Sequence, residues 1–278
     1  MEVVVINTRN CNLVEAKNLL QFGKEKFDRI YHLAAWTKAG DFCLYHKGEQ
    51  WIINQQINTN VLWFWREFQP SAVLIAMGTG CGYPPELPLK EENYLVAEPD
   101  RDLYTYAMTK RMLFAGLLAL NHQFGMQFRH LIPSTLFGPD FDRADSHFIF
   151  DLIKKIVAGK REGVPVELWG TGHQVRELIY IRDAVKLINL AVEKCPNDSL
   201  NLGSGIGYRI REYAEMICQI VGYDPSKIIY NTNKWAGVSK KVFDTAKIQQ
   251  LGQFEFTDIR AALAETIQYY QALPKESC

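Results

Sequence analysis

The chain has 278 residues, 47% hydrophobic and 22% charged, with 31 Lys+Arg balanced by 31 Asp+Glu. This is globular composition with room for a large α/β domain, and zero formal net charge argues against a general nucleic-acid binder or a polybasic membrane surface. No apolar run approaches the roughly 18 residues of a membrane-crossing helix, and six scattered cysteines without a C-x-x-C pair fit free thiols in a reducing cytoplasm, with no metal site.

Glu2–Ile6 is a continuous apolar run, the pattern of a parallel strand buried on both faces. Asn12 can cap a helix through about Gly23, and Arg29–Ala35 reads as the next strand. A long helix from Gly48 to Phe68 carries Trp51, Trp63, Phe64 and Trp65 on its expected sheet-facing side, and Pro70 ends it. Ser71–Met77 is another buried strand, opening into the glycine-rich loop Gly78-Thr79-Gly80-Cys81-Gly82-Tyr83-Pro84. A helix begins near Tyr104 and runs to about Phe124, followed by the strand Gln127–Ile132. Alternation of strand and helix with short links predicts a doubly wound, Rossmann-like parallel sheet.

After Gly138-Pro139 the rhythm changes. A helix near Phe148–Gly159 precedes the strand Val166–Trp169, the extended segment Arg176–Ile181, a helix capped by Asp183 that runs to about Glu193, and the strand Leu200–Leu202. Three more helices are expected at Ile210–Val221, Asp244–Leu251 and Thr257–Tyr270. The division expected is a cofactor domain over residues 1–139, with parts of 160–200, and a smaller, mainly substrate-binding α/β domain over 140–278. Ligands of such two-part proteins sit in the cleft between the halves, beyond the carboxyl ends of the strands.

Tyr106 and Lys110 stand four residues apart, hence on one helix face. A nearby ammonium favours the phenolate and would make the tyrosine usable as an acid or base near neutrality. Ala34-Ala35, Thr79, Cys81 and Ser134-Thr135 each follow the carboxyl end of an expected strand and so face the same cleft. A Thr79 hydroxyl could bind a substrate carbonyl while Tyr106 delivers a proton, the layout for hydride transfer at a carbinol or ketone with a nicotinamide as donor.

With His32-Leu33-Ala34-Ala35 after a strand, a hydroxyl residue after a later one and Y-x-x-x-K on a helix, the chain resembles the extended short-chain dehydrogenase/reductase family, also described as NAD-dependent epimerase/dehydratases. Within it, the GDP-L-fucose synthases are nearest. Their G-S-S-C-x-Y-P loop corresponds to residues 78–84, their Asn-Ser-His motif to Asp145-Ser146-His147, and their W-G-x-G-x-x-x-R-E to Trp169 through Glu177. Their N-x-G-x-G and I-R-E segments correspond to Asn201–Gly205 and Ile210-Arg211-Glu212.

The resemblance implies a nucleotide-sugar epimerase/reductase acting on a GDP-4-keto-6-deoxy-hexose, by C3/C5 epimerisation and NADPH-dependent reduction at C4. Cys81 would be the base and His147 the acid. Thr79, Tyr106 and Lys110 would serve the reduction and hold the C4 oxygen. NADP or NAD would contact Ala34, Ala35, Tyr106, Lys110, Pro133, Thr135 and Leu136. The substrate would contact Lys155, Trp169, Arg176 and Lys241, and a homodimer would form on the Tyr106 helix and the aromatic-rich helix before it. The alternatives within this reading are an epimerase without net reduction and a non-catalytic relative that binds a nucleotide sugar or a partner.

One departure stands out: no G-x-x-G-x-x-G lies near the amino terminus. In the family it joins the first strand to the first helix, whose amino end holds the cofactor pyrophosphate. Glu2–Asn12 corresponds instead to the family's second strand, so about 30 residues of the unit are missing or replaced. Three explanations compete: a late start of the sequence, Glu2–Ile6 in the empty slot beside Arg29–Ala35, or a binding protein that has given up the cofactor.

Overall fold

The computed structural model describes residues 2–38, 42–141, 147–195, 197–234 and 237–274. In chain order these hold β1 (Arg29–His32), α1 (Phe42–Tyr45), α2 (Lys47–Phe68), β2 (Val73–Met77), α3 (Tyr104–Phe124), β3 (Phe128–Pro133), β4 (Thr135–Phe137) and α4 (Phe148–Glu162). There follow β5 (Val166–Trp169), β6 (Val175–Tyr180), α5 (Ile181–Lys194), β7 (Ser199–Leu202), β8 (Gly207–Arg209), α6 (Ile210–Val221), β9 (Ile228–Asn231), β10 (Lys240–Lys241), α7 (Ala246–Gln249) and α8 (Ile259–Ala272).

The main sheet is parallel throughout, in the order β1-β2-β3-β7. Its central strand β2 buries Leu74, Ile75 and Ala76, as a strand covered on both faces must. On one side, Val61, Trp65, Leu113, Phe114 and Leu117 of α2 and α3 pack with Leu74, Ala76 and Phe128. On the other, Ala184, Leu187 and Ala191 of α5 pack with Ile75, Leu131 and Leu200. Trp65 is fully buried and its indole N–H donates to the Ala72 carbonyl at 2.9 Å, so its one polar atom is satisfied. A second group of strands, β10-β6-β4 with β8 on β6, and the pair β5-β9 stand apart from the main sheet.

Several elements differ from expectation. Glu2–Ile6 forms no strand and is exposed, with Val3 at 68% and Val5 at 72%. Strand propensity needs a partner ladder to be realised, and β1 pairs only with β2 among the described residues. The chain turns instead at Asn7–Asn10, where Asn10 Oδ1 accepts from the Asn7 N–H at 2.7 Å and Cys11 N–H donates to Asn7 O at 2.8 Å. The expected Asn12 helix is a 3-10 stretch over Ala16–Phe22, with Leu19 and Cys11 held against Phe64. Of the four α2 aromatics named above, Phe64 and Trp65 are buried, whereas Trp63, about opposite Trp65 on the helical repeat, and Trp51, in the first turns of the helix, are exposed. Asp183 lies inside α5 rather than capping it, and its buried carboxylate accepts from Thr257 N–H (2.7 Å) and Oγ1–H (3.0 Å). The segment near 244–251 contributes only the one-turn α7.

Candidate active site

The loop after β2 is built around its glycines. Gly78 N–H continues the sheet ladder to Leu131 O at 2.7 Å. Thr79 is extended and caps the 3-10 turn Gly80–Gly82, its Oγ1 accepting from the Cys81 N–H at 3.3 Å. A side chain at Gly82 would lie 2.4–2.6 Å from the ring and hydroxyl of Tyr94, a fully buried residue whose oxygen accepts from the Thr79 N–H at 3.3 Å. Arg111 of α3 fastens the loop's far end, its Nε donating to Gly82 O (2.8 Å) and Nη1 to Ala97 O (2.6 Å).

Tyr106 stands on the first turn of α3, its phenol in the neighbourhood of the Thr79 and Cys81 side chains. Burial pushes its phenol well above the ordinary tyrosine value, Cys81 and Cys43 add to this, and the nearby Thr79 side chain partly offsets it. The expected lowering by Lys110 is not what the structure shows. The Lys110 ammonium, 4% exposed, donates to Met77 O at 3.0 Å, and burial brings it down to about 8. Sharing a helix face does not bring the two reactive atoms together.

Two buried histidines share this neighbourhood. His32 Nε2 lies 2.9 Å from Asn58 Oδ1, and Asn58 in turn donates to Thr109 O at 3.1 Å. Burial and the Lys110 charge hold His32 down to about 4, with the Asn58 bond opposing. His130 stacks on Phe114 at 4.4 Å, pairs through Nδ1 with Ser199 Oγ at 2.9 Å, and is held to about 3 by burial and Lys110.

Cys81 is half-buried, and the Lys241 ammonium donates to its sulfur at 3.4 Å. Sequence reasoning set Lys241 with the substrate contacts; the structure sets it against the thiol. Arg176, in register with Lys241 across β6 and β10, donates from Nη1 to its neighbour Val175 O at 2.9 Å. Lys155 pairs with Asp151 at 2.9 Å and lies 5.8 Å from the Trp169 ring centroid. Trp169 is 54% exposed and has a second cation, Lys234, at 5.6 Å, a residue the sequence reading overlooked. An exposed indole beside two ammonium groups suits a flat base with an attached diphosphate. His147 is exposed at the start of α4, its carbonyl accepting from the Asp151 N–H at 3.0 Å; Asp145 and Ser146 of its motif lie outside the described residues.

Two motif residues turn out to be structural brackets. Asn201 is fully buried, accepting from the Tyr83 hydroxyl (2.6 Å) and donating to Leu89 O (2.8 Å) and Asp244 O (3.0 Å). Glu177 accepts from the N–H groups of Gly205 (2.9 Å) and Phe243 (2.8 Å), tying the strand that carries Lys241 to β6. Tyr94, Lys234 and His130 gave no signal in the sequence, because single residues outside a motif reveal themselves only through distant neighbours.

The residues expected to hold a dinucleotide fit one end of it. Ala34-Ala35 follow β1 half-buried, Pro133 ends β3, and Thr135 and Leu136 open β4. Between them the Ser134 hydroxyl is buried without a partner, and Lys110 has no carboxylate partner among the described residues. A ribose and a nicotinamide carboxamide would meet both needs. Before β1, the described residues offer the exposed Asn7–Asn10 turn.

Residues 2–203 match the sequence profile of the NAD dependent epimerase/dehydratase family. The chain is 26% identical to the GDP-L-fucose synthase of Escherichia coli (strain K12), over 96% of this chain and 88% of that one. It is 26% identical to the GDP-L-colitose synthase of Yersinia pseudotuberculosis, over 97% and 90%. A crystal structure of a GDP-L-fucose synthetase from Naegleria fowleri bound to NADP superposes with a TM-score of 0.86 at 24% identity, over 96% and 84% of the two chains.

Proposed function

Because the chain belongs to the NAD dependent epimerase/dehydratase family, we propose that it acts on a GDP-4-keto-6-deoxy-hexose as an epimerase/reductase. The observation that carries this is the convergence of Thr79, Cys81 and Tyr106 on the loop after β2 and the first turn of α3, with the Thr79 hydroxyl on the Cys81 N–H. Protons on C3 and C5 are acidified by the C4 ketone. Cys81 as thiolate takes such a proton, and charge moves to the C4 oxygen, where the Thr79 and Tyr106 hydroxyls donate to it. His147 returns a proton from the other face, and thiol and imidazole then reset by exchange with solvent. Tyr106, held protonated by burial, is ready as the donor to the C4 oxygen. A nicotinamide, when bound at Tyr106, Lys110 and Ser134, would supply hydride to C4. Lys155, Trp169 and Lys234 are the candidate contacts for the nucleotide.

The test is NADPH consumption in the presence of the GDP-4-keto sugar. The reading expects consumption and a product inverted at C3 and C5. Failure of millimolar NADPH to change its fluorescence on adding the protein would remove the reductase half.

The proposed setting is a reducing cytoplasm, supported by five free thiols among the described residues. We also propose a homodimer on α2 and α3, which expose Trp51, Ile52, Met112, Leu118 and Phe124. Sedimentation should give twice the chain mass of 31.9 kDa, and Met112→Glu should give the monomer. A wild-type monomer at micromolar concentration would contradict it.

A further inference from the structure

The Lys241 ammonium is the cation in hydrogen-bond contact with the Cys81 sulfur, at 3.4 Å. The other basic groups of the site are engaged elsewhere, Lys110 on Met77 O and Arg176 on Val175 O, and the titratable groups facing the sulfur from α3 and the loop before it are the buried Tyr106 and Tyr94 phenols. No carboxylate forms an ion pair with Lys241 among the described residues. The placement is built from both sides of the contact. On the Lys241 side, β10 pairs in parallel with β6, the Phe243 N–H is held by Glu177 at 2.8 Å, and the Asp244 N–H donates to Leu89 O at 2.9 Å. On the Cys81 side, Gly80 clears the approach: a Cβ there would lie 2.9 Å from Lys241 Cε and 3.0 Å from the Phe243 ring. The glycine, the bracketed strand and the lysine act as one arrangement whose product is a cation against a thiol.

We propose that Lys241 is a positioning residue for proton abstraction, its ammonium holding Cys81 as the thiolate and thereby setting the pH at which the base is ready. The thiol proton goes to solvent, Lys241 keeps its own, and the sulfur becomes the acceptor for a carbon-bound proton. The proposal rests on the reading of Cys81 as the base, but its test does not need the sugar. Alkylation of Cys81 by iodoacetamide in the full chain, followed by peptide mass spectrometry across roughly pH 6–10, reads the midpoint of thiolate formation. Lys241→Met is expected to raise that midpoint by about one unit or more, and Lys241→Arg to stay near wild type. A lysine that only packs the loop would alter the plateau rate through access and leave the midpoint in place. Equal midpoints in wild type and Lys241→Met, with unchanged near-ultraviolet circular dichroism, would overturn the proposal. A shifted midpoint in a protein that never exchanges protons with the keto sugar would sink the epimerase reading and leave the thiolate pairing standing.

Discussion

Cys81→Ala is expected to lower the rate of C3/C5 epimerisation of a GDP-4-keto-6-deoxy-hexose by about 10²- to 10⁴-fold, the range for loss of a positioned general base. The stability cost should be small, because Cys81 is only half-buried and its main-chain N–H keeps its bond to Thr79. Binding of the sugar nucleotide should hold near wild type, since the candidate nucleotide contacts Lys155, Trp169 and Lys234 form a separate cluster around the Trp169 ring. Product inversion followed by nuclear magnetic resonance reads the first quantity, and calorimetric titration the second. A variant that epimerises within threefold of wild type, roughly 0.7 kcal/mol in barrier, would remove Cys81 from the mechanism.

The second large effect is on stability in acid. His32 and His130 are buried and held to about 4 and about 3, below the ordinary value near 6.5. The folded state therefore binds fewer protons than the unfolded chain once the pH drops below about 6.5, and stability is lost as pH falls through that window toward the folded values. Each histidine contributes a slope that grows to about 1.4 kcal/mol per pH unit below the unfolded value, so going from about pH 6.5 to about pH 5 should cost about 3 kcal/mol for the pair. That is a large share of the roughly 5–15 kcal/mol typical of a domain. His130→Leu should be less stable at neutral pH by about 1–3 kcal/mol, because it strands the Ser199 hydroxyl, yet its stability should fall about half as steeply in acid. Urea unfolding at several pH values gives both; parallel curves for wild type and variant would contradict the assignment.

Much of the frame was legible because its signals are local. The apolar runs at β2, β3 and β7 and the helix from Tyr104 to Phe124 read correctly, and the loop from Gly78 to Pro84 appears at the carboxyl end of β2 where expected. What failed depended on partners far along the chain. Val3–Ile6 has strand composition, but no ladder pairs with it among the described residues, so the composition has nothing to act on. Tyr106 and Lys110 share a face, yet burial and the Met77 carbonyl determine their protonation. Lys241 lies 160 residues from Cys81, and the pairing of β10 with β6 and the bonds of Phe243 and Asp244 bring them together. Asn201 and Glu177 belong to the motifs, yet their side chains brace the site from within, on backbone groups and on the Tyr83 hydroxyl.

We propose that Thr79, Cys81, Tyr106 and His147 suffice for proton transfer, whatever the grip on a dinucleotide. The most direct measurement is wild-type protein with a GDP-4-keto-6-deoxy-hexose in heavy water, without added NADPH, followed by proton resonance at C3 and C5. The substrate already carries the ketone, so exchange needs only the base, the acid and the oxygen-binding hydroxyls. Loss of the C3 and C5 proton signals at a rate that disappears in Cys81→Ala is the predicted result. Retention of both signals, in a sample shown by calorimetry to bind the sugar nucleotide, would contradict it.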